Sequence, residues 1–403
     1  MKTITVVDAR MGRGKSSAAI RYMNQHKGKK RFLYVTPYLD EVGRICERCD
    51  FDQPDGETRS KSSELKTQMR MGHNIAATHS LFYLMDEDAL ALAREKGYCL
   101  IIDESIQVIQ RLNISAKDME LILHTLAEVK EGGRVVWRDA EYQGRFHDYK
   151  EMADAASLYL LDSALLNILN PELLKAFDEV FMLTYLFDGQ YQKGYLDYFG
   201  FPYRVVGVRQ DERGYYFSDR PDEPEGVDYR SLIRIEDSPR LNSPGEETYA
   251  LSKAWYDRRG YHDPQVKALR TGLRRFFQKA GGDSGTRMWT CFKDDVNKLV
   301  DARTGRFRGN FLQSGARATN QYRDRTAVAY MVNRFTDPNL MKFFYEKGVT
   351  IDGELFALSE MLQWIWRSAI RDNRPIRLYI PSRRMRKLLT DWIDKTSEGG
   401  KHE

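Results

Sequence analysis

Cysteine is scarce, with 4 in 403 residues. That excludes a disulfide framework. Cys46-x-x-Cys49 has no second cysteine pair or paired histidines to complete a zinc site, so both are read as free thiols on a surface helix. Long hydrophobic runs are missing as well. None approaches the roughly 20 residues needed to cross a bilayer, so no membrane partner is expected. Low-complexity tracts and internal repeats are absent, which sets aside solenoids and disordered tails. Met1-Lys2-Thr3 runs straight into a strand-like stretch, without the layout of a secretion signal, and a cytoplasmic protein is expected. Charge of one sign is not in great excess. The formal balance of +5 is compatible with nucleic acid and proves nothing about it.

What is present is ample for folding: 42% hydrophobic and 12% aromatic residues in a chain long enough for two cores. The most informative stretch is Ala9-Arg10-Met11-Gly12-Arg13-Gly14-Lys15-Ser16, after the apolar run Ile4-Thr5-Val6-Val7. Strand, glycine-rich turn and helix in that order hold a nucleoside triphosphate, because backbone N–H groups and the helix N-terminus surround the phosphates. Gly12, Arg13, Gly14, Lys15, Ser16 and Ser17 form the expected cradle. Lys15 supplies a cation to the β- and γ-oxygens, and Ser16 a hydroxyl to Mg²⁺. Ala9 stands where the full pattern has its first glycine. A bland reading, a glycine-rich turn with a stray lysine, competes.

Leu100-Ile101-Ile102-Asp103-Glu104 is an apolar run that ends in two carboxylates. Buried parallel strands are apolar throughout, and ligands of such sheets sit at strand carboxyl ends. Asp103 is therefore expected beside the phosphate loop, organising Mg²⁺ with Ser16, and Glu104 next to it, polarising the attacking water.

Alternation of strands and helices continues along the chain. Strands are expected at 32–36, 74–78, 100–102, 180–184, 287–292, 327–332 and 376–380, and helices at 40–48, 114–130, 154–169, 294–301 and 355–371. Gly132-Gly133 should break the chain before a small hairpin strand at 134–137. The segment near 202–245 lacks a long period and suits a connector. These patterns predict an α/β protein with largely parallel sheets flanked by helices. The expected division is a first domain over 1–200 with a helical insertion near 111–170, a connector and start of the second domain over 201–280, and a second domain over 281–403.

Gln363, Arg367 and Arg371 are spaced i, i+4, i+8, which on one helix puts them on one face. Two guanidiniums so placed could neutralise a transferring γ-phosphoryl group, since arginine keeps its proton and contacts oxygens in pairs. Trp364 and Trp366 are expected to pack between domains. The 303–325 stretch carries Arg303, Arg306, Arg308, Arg317, Arg323 and Arg325 with Phe307 and Tyr322 interleaved, and a second basic cluster runs from Arg374 to Lys387. Basic groups can follow phosphates while rings stack on bases. A solvated basic surface is the plain alternative.

The order of these pieces resembles the superfamily 2 (DEAD/DEAH-like) helicases. The phosphate loop resembles motif I, Thr36-Pro37-Tyr38 motif Ia, Thr78-His79-Ser80 motif Ib, and Asp103-Glu104-Ser105 motif II, with Ser where Ala or Cys is usual. Thr184-Tyr185 resembles motif III, Trp289-Thr290 with Phe292 motif IV, and Gly315 to Asn320 motif V. Gln363 to Arg371 resembles motif VI, with Trp366 in place of its glycine. The dialect is that of helicase-like proteins of bacteriophages and mobile elements. The resemblance implies two RecA-like domains of the P-loop NTPase class, ATP and Mg²⁺ as cofactors, and a catalytic set of Lys15, Asp103, Glu104, Gln363, Arg367 and Arg371. It further implies sequence-independent contacts to single-stranded DNA or RNA through Thr36, Pro37, Thr78, His79, Arg317, Thr319 and Asn320. Replication or recombination proteins in a bacterial host cell would be natural partners. Three functions remain open on the sequence: an ATP-driven helicase or translocase, an ATPase switch acting on protein, and a nucleic-acid-binding module that does not hydrolyse.

Overall fold

The computed structural model describes residues 2–56, 60–220, 227–314 and 320–398. The chain divides into two units, Met1–Asp222 with Asp337–Ile351, and Glu223–Thr336 with Asp352–Glu403.

The first unit opens with β1 (Ile4–Asp8), α1 (Lys15–His26), β2 (Arg31–Thr36), α2 (Leu39–Cys49), β3 (Ile75–Thr78) and β4 (Tyr98–Asp103). Four of the six β4 residues are aliphatic or cysteine, and all six are buried, as a strand covered on both faces requires. Asp40 and Glu41 stand in the first turn of α2, where carboxylates favour the helix dipole.

An insertion follows, with β5 (Ile109–Arg111), β6 (Ala127–Val129), β7 (Val135–Trp137), β8 (Leu158–Leu161) and β9 (Ala164–Ile168). It is less helical than expected. The predicted 114–130 helix is helical only over Ala116–Leu126 and then becomes β6, which pairs with β7 across Gly132-Gly133. The predicted 154–169 helix is the larger correction. A helix does form at His147–Asp154, but β8 and β9 come next as a hairpin turning at Asp162, whose φ of 49° reverses the chain. Short leucine-rich runs satisfy either period, and here cross-strand burial of Leu158, Leu165 and Leu166 prevails over helix propensity.

The chain then returns to the first sheet through β10 (Glu179–Thr184), β11 (Tyr203–Asp211) and β12 (Gly214–Ser218). The last two, expected in a connector, complete a seven-stranded sheet of order β12-β11-β1-β10-β4-β2-β3. Only β12 is antiparallel to its neighbour. The segment Asp337–Ile351, from the second half of the chain, also belongs here. Phe343, Phe344 and Ile351 join the core of this unit, and the backbone N–H of Asp337 donates to the Tyr191 hydroxyl at 3.0 Å.

The second unit holds a parallel sheet of order β13 (Ile233–Ile235), β16 (Ile376–Tyr379), β15 (Ala327–Tyr330) and β14 (Arg287–Thr290). The helix Pro264–Ala280 buries Val266, Leu269, Leu273, Phe276 and Phe277 against it. The helix Gly353–Ile365 is apolar nearly all round and mostly buried. Trp364 and Trp366, expected between domains, are buried inside this unit. Trp364 is fully buried and donates to Leu312 O at 3.2 Å, while Trp366 meets the rings of Tyr229 and Trp392.

Candidate nucleotide-binding site

Strand β1 ends at Asp8, a loop covers residues 9–14, and α1 begins at Lys15. The helix is preceded by Gly14 in the left-handed region, φ 77°, and Gly12 has φ 83°. A Cβ on Gly14 would also lie 2.3 Å from the Tyr215 ring of β12, so glycine is required there twice over. Ala9 has no positive φ and is buried, its N–H donating to Thr184 O at 3.1 Å. An alanine therefore serves where the general pattern has glycine. Gly12 is exposed, and Arg13 and Ser17 are half-buried around the turn.

Lys15 Nζ donates to the Ala9 carbonyl and, at 3.1 Å, to that of Arg10, which curls the ammonium over the loop. At the second residue of α1, Ser16 Oγ donates to Asp103 Oδ2 at 2.9 Å. Strand register explains this meeting of residues 87 positions apart. Asp8 pairs with Thr184, and Leu183 pairs with Asp103, so β1, β10 and β4 end level. Asp103 is buried at 4% exposure and accepts a second hydrogen bond on the same oxygen from the Tyr34 hydroxyl. Glu104 follows with φ 66°, unusual for a residue with a side chain.

Further polar groups surround the pair. Thr184 Oγ1 donates to Gln190 Oε1 at 2.7 Å, Ser105 Oγ donates to the same oxygen at 3.1 Å, and Gln190 Nε2 is fixed on Tyr185 O at 2.7 Å. Gln190 thus joins the ends of β4 and β10. Burial pushes the Glu41 carboxyl up, Arg44 pulls it down, and the carboxylates of Asp103 and Glu104 push it up again. Sequence spacing gave no sign of Tyr34, Glu41 or Gln190. Of this network the sequence motifs contained only Ser105 and the pair Thr184-Tyr185.

Among the described residues no group of three or more His, Cys, Asp or Glu could hold a metal alone. The donor set present, one hydroxyl and one carboxylate of hard oxygens, fits Mg²⁺ completed by water and phosphate oxygens.

Asp8 lies under the loop. Its Oδ2 accepts from Phe187 N at 3.1 Å, whereas Oδ1 is buried with no partner among the described residues. Burial raises its carboxyl above the ordinary value, against the pull of the Phe187 N–H and of Lys15. A raised carboxyl destabilises the fold at pH above its folded value and ceases to do so once it is protonated in both states. Asp8→Asn is therefore expected to stabilise the protein at neutral pH by on the order of 1 kcal/mol. Thermal melts across pH should show the gain shrinking as pH falls through the raised value. A gain that grows in acid would contradict this account.

Other expected site residues are placed differently. The helix carrying Gln363 ends at Ile365, because Ser368 Oγ takes the Ile365 carbonyl at 2.7 Å. Arg367 sits in the following turn and Arg371, exposed, in the separate 3₁₀ turn Ala369–Asp372, so the three residues do not share one helical face. Gln363 Nε2 donates to Ser359 Oγ at 3.1 Å. Thr36 is fully buried and His79 is 2% exposed, which withdraws both side chains from a contact surface. Pro37 and Thr78 are half-buried, and Thr78 caps the helix His79–Tyr83 by accepting from Leu81 N at 3.3 Å. Arg317 and Thr319 lie outside the described residues, and of Asn320 only the backbone is described. Much of the basic charge of the second unit is engaged internally. Arg323 pairs with Asp372, Arg374 with Asp324, Arg384 with Glu354 and Arg386 with Glu246.

Two family models match the chain, the YonV middle domain over residues 109–167 and the YonV C-terminal Rossmann-like domain over 227–393. Over 414 aligned residues the chain is 35% identical to the SPbeta prophage-derived protein YonV of Bacillus subtilis (strain 168), covering 98% of this chain and 99% of that one. Among solved structures, Xpd4 of S. tokodaii matches at TM-score 0.52 and 11% identity, covering 97% and 94% of the two chains. An apo XPD matches at TM-score 0.50 and 12% identity, covering 96% and 95%. At that identity the likeness establishes the fold, two RecA-like domains of parallel sheet flanked by helices. Among the described residues no helix is long and apolar enough to cross a membrane.

Proposed function

The chain belongs to the YonV family, and on that footing we propose that it is an ATP-dependent motor acting on a DNA or RNA strand, a helicase or translocase. The observation that carries the reading is the hydrogen bond from Ser16 to Asp103 at the level ends of β1, β10 and β4. It joins a phosphate-loop hydroxyl to a buried carboxylate at the end of a strand 87 positions away.

Each residue then has a role. The backbone N–H groups of Gly12 to Ser16 bind phosphate oxygens, and Lys15 leaves its two carbonyls for the β- and γ-oxygens. Ser16 and Asp103 would hold Mg²⁺, which supplies charge neutralisation between the phosphates. Glu104 orients and deprotonates the attacking water. Arg367 and Arg371, with Gln363, are assigned to the γ-phosphate on their resemblance to motif VI, as two guanidiniums on consecutive turns and not as one helix face. Contacts to the strand are assigned to Pro37, Thr78, Arg317, Thr319 and Asn320. Such contacts reach phosphates and sugars, so they carry no base preference. A prophage-derived relative fits action in the cytoplasm of a bacterial host.

The test is ATP turnover with and without single-stranded DNA or RNA. Stimulation by a strand, with binding that weakens steeply as salt rises, is the expected result. Turnover indifferent to either polymer would point instead to a switch acting on protein, and strand binding without turnover to a passive binding module.

A further inference from the structure

We propose that Tyr34 is a positioning residue for Asp103, whose carboxylate its phenol holds in the orientation that a Mg²⁺–nucleotide complex needs. The proposal rests on the nucleotide-site reading above and adds to it a residue that no sequence motif contains.

Tyr34 lies in the middle of β2, the strand next to β4, with Tyr34 registered against Ile101 and Val35 against Ile102. Its side chain is wholly buried, in a cluster that includes Ala9, Ala18 and Ala19 of the phosphate loop and α1. A buried parallel strand is normally apolar, and a tyrosine there must find a partner for its hydroxyl. The partner is Asp103 Oδ2, the oxygen that also receives Ser16 Oγ at 2.9 Å.

The two donors are not equivalent. Ser16 is the residue whose hydroxyl would turn a lone pair toward the metal. Tyr34 is walled in by the core and has no such second task. A phenol keeps its proton at neutral pH, so its hydroxyl is a donor to the carboxylate it meets. The terminal torsion of an aspartate is broad and two-fold. With Tyr34 in place, one oxygen is fixed before nucleotide arrives. Without it, Asp103 would be held by Ser16 alone, at the moment that hydroxyl is being drawn to the metal. Hydrogen bonds behind a metal-holding group tune its affinity in this way, and their loss typically costs about 10–100-fold.

The experiment uses the full chain and measures equilibrium binding of a fluorescent, non-hydrolysable ATP analogue, first in EDTA and then across a Mg²⁺ titration. Tyr34→Phe removes one oxygen and leaves the ring. It is expected to raise the Mg²⁺ concentration for half-saturation about tenfold, with binding in EDTA unchanged. In an Asp103→Asn background, Tyr34→Phe should add no comparable shift, because the carboxylate it positions is gone. Should Tyr34→Phe not fold, fluorotyrosine at the same position alters donor strength without altering shape and is expected to shift the same midpoint. An unshifted midpoint in a folded Tyr34→Phe protein, or a full shift that persists in the Asp103→Asn background, overturns the proposal alone. Nucleotide binding by the unsubstituted protein that ignores Mg²⁺ overturns the site reading and this proposal with it.

Discussion

Lys15→Ala is expected to lower ATP turnover by about 10²–10³-fold or more while leaving the fold intact. The asymmetry follows from what Lys15 touches. Its ammonium donates to two carbonyls of its own loop, those of Ala9 and Arg10. Those carbonyls lie at a partly buried turn, and the net worth of such bonds is about 1 kcal/mol each. Loss of the ammonium should therefore move the melting temperature little. In the reacting complex the same charge sits where negative charge gathers on the β–γ bridge, in a site whose backbone N–H groups are already fixed. Lys15→Arg should fail nearly as badly, because a planar guanidinium is no substitute for a compact ammonium inside a cradle of backbone N–H groups. Turnover and melting temperature measured on the same preparations decide the matter. Near-normal hydrolysis by Lys15→Ala would remove the phosphate loop from the mechanism, and a large fall in melting temperature would make Lys15 a structural residue.

The contrast between Lys15 and Arg371 shows which parts of the site were legible beforehand. Ile4 to Ser16 is a local signal. Strand, turn and helix are contiguous, and glycines at two left-handed positions advertise the turn. Asp103 was legible because an apolar run that stops at a carboxylate marks the carboxyl end of a buried strand. Register then did the rest, and register is a property of the sheet, not of the run. Motif VI was misplaced on its helix for a tertiary reason. Trp366 is drawn into the rings of Tyr229 and Trp392, and Ser368 caps the carbonyl of Ile365, so the helix stops where a count of residues would carry it on. Tyr34 was invisible because its partner is 69 positions away on another strand, and Gln190 because one of the groups it joins, Ser105, is 85 positions away beyond the end of β4. The helix Pro338–Tyr345 could be recognised as amphipathic, yet Phe343 and Phe344 suit any apolar surface. Nothing in their spacing says that they complete the core of the first unit.

Glu104→Gln is expected to reduce turnover by about 10²–10⁴-fold, the range for loss of a general base, while binding of Mg²⁺–ATP is kept. Glutamine has the shape of glutamate and can still orient a water, but it cannot take the proton. Backbone geometry gives this prediction a second arm. Glu104 has φ 66°, where a side chain ordinarily costs about 1–2 kcal/mol, and glycine alone adopts it freely. The next residue, Ser105, is tied to Thr184 and Gln190, so the turn is held from the far side. A strained residue kept at the end of a central strand, beside a buried aspartate, is what a fold retains when the side chain is needed there. Glu104→Gly should then abolish turnover and raise the melting temperature, the two effects moving in opposite directions. If Glu104→Gly destabilised the protein, the side chain would be a packing element. If Glu104→Gln turned over within about tenfold of the unsubstituted protein, the attacking water would have to be activated by another group, and Glu41, a carboxyl raised by burial and further by Asp103 and Glu104, would be the next to substitute.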